Sequence, residues 1–150
     1  MKIDRLSLSI LLAFGLASGA AGLGCHKKGP VASGETTGEQ ITLEMIHFDF
    51  DKYNIKPQFQ SVLERHAQWL KDNPKTNITI EGNCDEWGTE EYNLALGERR
   101  AVAAKNYLVH LGVSPDRLST ISYGETRPID PAHNAAAWAM NRRDEFHGKK

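Results

Sequence analysis

The stretch from Gly82 to Ala101, Gly-Asn-Cys-Asp-Glu-Trp-Gly-Thr-Glu-Glu-Tyr-Asn-Leu-Ala-Leu-Gly-Glu-Arg-Arg-Ala, constrains this chain more than any other. Just before it, Ile78 and Ile80 alternate with Thr79 and Glu81, the period of two expected of a strand. Within it, Thr89, Glu90 and Glu91 open a long helical pattern, acidic at its start as the helix dipole favours. Between strand and helix lies a short loop bounded by Gly82 and Gly88 that carries Asp85. Arg100 follows about three turns into the helix. A helix N-terminus between these two charges adds unpaired backbone N–H groups that favour anions. The pair suits a small zwitterion, with Asp85 for its ammonium and Arg100 as a planar fork for its carboxylate.

The remaining folded part also alternates strand and helix signals. Ile46, Phe48 and Phe50 alternate with His47 and Asp49, which reads as a first strand. Pro57 suits the first turn of a helix whose apolar face carries Phe59, Val62, Leu63, His66 and Leu70, ended by Asn73-Pro74. The apolar face of the long helix is read as Tyr92, Ala95, Val102, Leu108 and Leu111, with Gly112 as its stop. Ile121 and Tyr123 suggest a third strand ended by Gly124, Ala135 to Arg142 a further helix, and Phe146 a short final strand. The predicted class is α+β of the βαβαβ type, with helices packed on a sheet.

The N-terminal region has a different character. Lys2 and Arg5 precede an uncharged apolar run from Leu6 to Gly19, too short for a spanning helix. Residues 1–24 therefore read as a cleaved signal peptide. Gly22-Leu23-Gly24-Cys25 resembles a lipobox, in which the cysteine thiol receives a lipid and becomes the new N-terminus. Gly29, Pro30, Ser33, Gly34 and Gly38 then interrupt any periodicity, so residues 25–41 read as a lipid-anchored tether. Its r.m.s. span is roughly 20 Å for a flexible chain. The folded domain is assigned to 42–147 and a tail to 148–150. A net charge of −1 gives no electrostatic case for nucleic acid.

The Gly82–Ala101 stretch closely resembles the signature of the OmpA-like, peptidoglycan-binding domain family. Gly82, Asn83, Asp85, Gly88, Tyr92, Asn93, Leu96, Gly97, Arg100 and Ala101 stand at the matching spacings, and the resemblance runs from about Ile46 to Phe146. It implies a single small mixed β-sheet with helices on one face. It also implies non-catalytic binding of the meso-diaminopimelate of the peptidoglycan stem peptide by Asp85 and Arg100, with Asn93 and Leu96 lining the pocket. Phe50 and Asp51 match the loop that borders the groove. Asn141-Arg142-Arg143 resembles a late family motif, from which Arg143 is expected to reach the site or a buried carboxylate. Trp87 stands where relatives often carry Arg, and is expected to stack on the ligand. Cys84 stands where Ala or Thr is commoner, and is expected to be inert. The implied partners are TolB and other Tol-system proteins, and the implied place is the periplasmic face of the outer membrane, with a role in envelope integrity and cell division.

A cell-wall hydrolase or another OmpA-like wall-binding protein is the alternative, but a hydrolase needs a nucleophile, a zinc site or spaced carboxylates. Asp85 and Glu86 are adjacent instead. No cofactor and no metal is expected. His47, His66, His110 and His133 fall on different elements, and His26 and His147 in flexible ends.

Overall fold

The computed structural model describes residues 40–149; the signal peptide, Cys25 and nearly all of the tether lie outside the described residues. The elements follow in the order β1 (Gln40–His47), α1 (Pro57–Asp72), β2 (Asn77–Asn83), α2 (Glu90–His110), a 3-10 turn over Pro115–Arg117, β3 (Leu118–Gly124), α3 (Ala135–Asn141) and β4 (Arg143–Lys149). The sheet order is β1-β4-β2-β3. Strands β2 and β3 are parallel, joined by α2, whereas β4 runs antiparallel to both β1 and β2. The last strand thus enters the middle of the sheet. The result is one open mixed sheet in an α+β domain, as the alternation and the resemblance imply.

Period-two alternation turns Ile46, Ile78, Ile80, Leu118 and Phe146 to one face, where they meet Leu63, Leu70, Ala101, Ala104 and Leu108 of the two long helices. Helix α1 has Pro57 in its first turn and buries Val62, Leu63, His66, Ala67 and Leu70. Arg117 ties off its far end by donating to the carbonyls of Leu70 at 2.9 Å, Asn73 at 2.8 Å and Thr76 at 3.0 Å. Helix α2 crosses β2 at backbone contact: a Cβ on Gly82 would lie 2.0 Å from the Gly97 carbonyl oxygen, and one on Gly97 2.3 Å from Ser122 Oγ. Only glycine fits at either position.

The structure departs from the sequence reading at four places. Strand β1 ends at His47, so Phe50, read as the last apolar position of that strand, lies in a turn and is 58% exposed. Gln40 and Ile41, assigned to the tether, pair with Lys149 and Gly148, assigned to the tail, so both edges of the domain extend into strand. His147 belongs to β4, not to a flexible end. The buried stripe of α2 is Asn93, Leu96, Gly97, Arg100, Ala101, Ala104 and Leu108, while Tyr92, Ala95 and Val102 face outward. Small residues let this stripe sit on the sheet, and two polar side chains on it point toward the loops above.

Candidate ligand-binding site

The site is built at the end of the sheet where β1 and β2 both give way to loops. Cys84 donates its N–H to the Gly124 carbonyl at 2.7 Å, fixing the start of the loop after β2. Asp85 Oδ1 accepts the Trp87 N–H at 3.3 Å, an Asx turn. Gly88 takes φ 123°, a conformation that side chains rarely tolerate, and Thr89 Oγ1 then caps α2 by accepting the Tyr92 N–H at 3.2 Å.

The other carboxylate oxygen of Asp85 is held by Arg142, whose Nη1 donates to Oδ2 at 2.9 Å; the two side chains are 5% and 15% exposed. Arg142 Nε also donates to the Phe48 carbonyl at 3.1 Å. Asn134 positions this arginine through the short α3, which it caps by accepting from Ala136 and Ala137 N–H at 3.0 Å.

Arg100 is fully buried. Its guanidinium donates to the carbonyls of Lys52 and Asn83, each at 2.8 Å, and to the Asp49 carbonyl at 3.3 Å. It also contacts Cys84 Sγ at 3.3 Å and lies 5.0 Å from the Phe48 ring centroid. One residue therefore clamps the turn after β1 to the end of β2. Burial lowers its pKa from the ordinary value, against the pull of Cys84, Asp144 and Asp85. Asp144 itself is wholly buried with neither carboxylate oxygen hydrogen-bonded, and burial pushes its carboxyl well above the usual range despite Arg100 and Arg143.

In front of this clamp lies a pocket of about 250 Å³ lined by Phe50, Asp51, Asp85, Trp87, Gly88, Tyr92 and Leu96. The structure thus brings together five of the residues expected from sequence: Phe50, Asp51, Asp85, Trp87 and Leu96. Asp51, at φ 54°, accepts from the Tyr92 hydroxyl and closes one wall. A second cleft of about 390 Å³ shares Phe50 and Trp87 and adds Ala135, Trp138 and Arg142. The Trp87 and Trp138 rings meet edge to face with centroids 5.2 Å apart. Glu86 holds the far side, accepting from Trp138 Nε1 at 2.7 Å and pairing with His133 Nδ1 at 2.6 Å.

Three expected residues are placed differently. Asn93 is buried behind the pocket, donating from Nδ2 to the Asp85 carbonyl at 3.3 Å and to the Glu125 carboxylate. Arg100 is fully buried and does not line the pocket. Arg143 is engaged by Glu145 and by the carbonyls of Arg127 at 3.1 Å and Asn141 at 3.3 Å. The arginine that reaches Asp85 is its neighbour, Arg142. Trp138 and Tyr92 were not read as site residues; the ring-bearing helix Ala135–Arg142 was visible, but not its position. Cys84 is buried, and burial pushes its thiol up to about 11, so it stays protonated and inert.

The OmpA family model matches residues 47–142. This chain belongs to the OmpA family. Within it, the chain is similar to the peptidoglycan-associated lipoprotein of Pasteurella multocida, at 42% identity over 139 residues, spanning 89% of this chain and 93% of that protein. The protein of the same name from Pseudomonas putida is 40% identical, spanning 97% and 95%. The crystal structure of the peptidoglycan-associated lipoprotein from Burkholderia pseudomallei shares the fold with a TM-score of 0.69 at 44% identity, covering 70% of this chain and 89% of that one. The C-terminal domain of Helicobacter pylori MotB shares it with a TM-score of 0.67 at 26% identity, covering 72% and 85%. The chain therefore belongs among the peptidoglycan-associated lipoproteins of the OmpA family.

Proposed function

We propose that this protein is a non-catalytic outer-membrane lipoprotein that grips peptidoglycan and so ties the membrane to the cell wall. Relatives named peptidoglycan-associated lipoprotein support this over most of the chain length. The observation that carries it is the pocket itself, a carboxylate set between aromatic and aliphatic walls at the rim of a buried arginine clamp. The ligand is the diaminopimelate of the stem peptide. Its far ammonium meets Asp85. Its far carboxylate is taken by Arg100 when the longest of that residue's backbone contacts, Nη2 to the Asp49 carbonyl at 3.3 Å, gives way. Asn93 and Arg142 hold the Asp85 loop in place, Leu96 is the apolar wall, and Asp51 and Phe50 border the groove.

Cys25 carries the lipid anchor on the periplasmic face of the outer membrane. TolB and the Tol system are the protein partners, through which the chain serves envelope integrity and division. A hydrolytic role fits less well. Asp85 is committed to Arg142, and Glu86 turns toward Trp138 and His133, so the two carboxylates do not flank a common point. The deciding experiment is cosedimentation with purified sacculi, competed by free diaminopimelate. Failure to sediment, or sedimentation insensitive to the competitor, overturns the assignment.

A further inference from the structure

The sheet face turned away from α1 and α2 carries polar side chains from three strands. Register sets Glu81 of β2 directly opposite Glu145 of β4, and His147 of β4 opposite both Thr79 of β2 and Thr42 of β1. Like charges directly opposite one another in an antiparallel pair are unfavourable. Here they do not diverge. His147 Nε2 lies 3.1 Å from Glu145 Oε2 and 4.0 Å from Glu81 Oε2, and one ligand atom from each of the three falls within 4.8 Å of the others. Donors about 2.0–2.2 Å from a tetrahedral zinc ion stand roughly 3.3–3.6 Å from one another, so this triad needs only a small closure.

The outer partners match as well. His147 Nδ1 is 3.3 Å from Thr42 Oγ1, which leaves Nε2 as the lone-pair nitrogen when Nδ1–H donates there. Arg143 holds the other oxygen of Glu145, Oε1, so Oε2 remains turned inward. The three side chains are only partly exposed and open on a concavity of about 700 Å³, which leaves room for water at the remaining coordination positions. One competitor is present. Arg127 Nη1 is 3.5 Å from Glu81 Oε2, yet that guanidinium also sits 3.4 Å from the Tyr123 ring centroid, a resting place that does not depend on Glu81.

We propose that Glu81, Glu145 and His147 form a zinc-type divalent-metal site that staples β2 to β4 on the open face of the sheet. An imidazole with two carboxylates favours a borderline ion such as zinc over magnesium or calcium. The site shares no residue with the ligand pocket.

The test is zinc titration of the untagged mature protein by calorimetry, with thermal melting alongside. One zinc per chain and a rise in Tm are expected, with no matching response to magnesium. His147→Gln and Glu81→Gln should each weaken binding by about tenfold or more, and Thr42→Val by about tenfold as an outer-partner loss. Arg127→Gln should tighten binding, a gain that damage to the fold cannot mimic. His133→Gln, at the exposed histidine beside Glu86, should leave zinc binding unchanged. Absence of zinc binding by the wild type, equal loss in His133→Gln, or no gain in Arg127→Gln overturns the proposal.

Discussion

Arg142 reaches from the end of α3 to Asp85 and donates to its Oδ2 at 2.9 Å in a largely buried pair. Asp85 therefore does not wait for a ligand as a bare carboxylate. It is already ion-paired and aimed, with Oδ1 on the Trp87 N–H. In the proposed complex a ligand ammonium would share this carboxylate with a guanidinium instead of displacing water alone.

Asp85→Asn keeps the size of the side chain and removes the counter-charge. It should weaken sacculus binding by about 2 kcal/mol or more, because a ligand ammonium is left near a lost partner. Undiminished cosedimentation of this variant would sink the role given to Asp85.

Arg100→Lys should act on binding and stability together. A lysine keeps the charge but cannot serve the Lys52, Asn83 and Asp49 carbonyls at once. Urea titration should show a loss on the order of 3 kcal/mol, as for other broken buried charge networks. Wild type should also favour a diaminopimelate peptide over a lysine peptide, which lacks the far carboxylate, and Arg100→Lys should narrow that preference. A variant that melts like wild type rules out the clamp. Equal affinity of wild type for the two peptides rules out carboxylate recognition.

Trp87 is 54% exposed and forms the ridge shared by the two clefts. Trp87→Ala should cost about 1 kcal/mol in wall binding, the scale of one aromatic contact. Trp87→Arg should retain binding but make it more sensitive to salt. Wild-type affinity in the alanine variant would reduce the ring to a surface substitution.

His66 lies in the core edge-on to Phe146, with ring centroids 4.7 Å apart and neither nitrogen hydrogen-bonded. Burial lowers its pKa from 6.5 to about 4, partly offset by Glu44. The unfolded chain thus binds a proton between those values that the folded chain refuses. The stability this neutral histidine preserves is complete above pH 6.5 and is lost as pH falls toward 4, by on the order of 2–3 kcal/mol. His66→Leu should be at least as stable at neutral pH and should flatten this part of the acid limb. Parallel acid limbs for the two proteins, measured by urea titration at several pH values, would refute the assignment.

Cys25→Ser should move the protein from the membrane to the periplasmic fraction. Intact-mass analysis of the mature wild type checks the same point, and a mass without acyl chains would remove the anchor.

The parts of the site that lie close in sequence were legible there. Gly82, Gly88 and Thr89 dictate a strand, a tight loop and a capped helix, and Asp85 and Trp87 follow from that path. The parts that depend on distant packing were not. Arg142 and Arg143 are adjacent and chemically alike, and only the passage from α3 into β4 sends one to Asp85 and the other to Glu145. Arg100 reads as an open fork for a ligand carboxylate, and its full burial is not legible because arginine is seldom buried. Its burial rests on carbonyls from the turn after β1 and from the end of β2, which the sequence does not juxtapose. The outward turn of Tyr92 and Val102 has the same origin. The closest approach of α2 to the sheet is set by the small residues Gly97, Ala101 and Ala104, so the apolar side chains beside them are left at the rim.

Among the described residues, strand β1 is an edge strand paired with β4 alone, and Gln40 lies at the end of the sheet remote from the Phe48–Asp51 turn. If the wall holds the pocket while the membrane pulls at Gln40, the load runs lengthwise along β1. Its hydrogen bonds to β4 lie across that direction and are strained side by side as a group, not opened one after another from an end. Such shear loading resists forced unfolding far better than peeling does. Under that loading the domain would bear force along its mechanically strong axis.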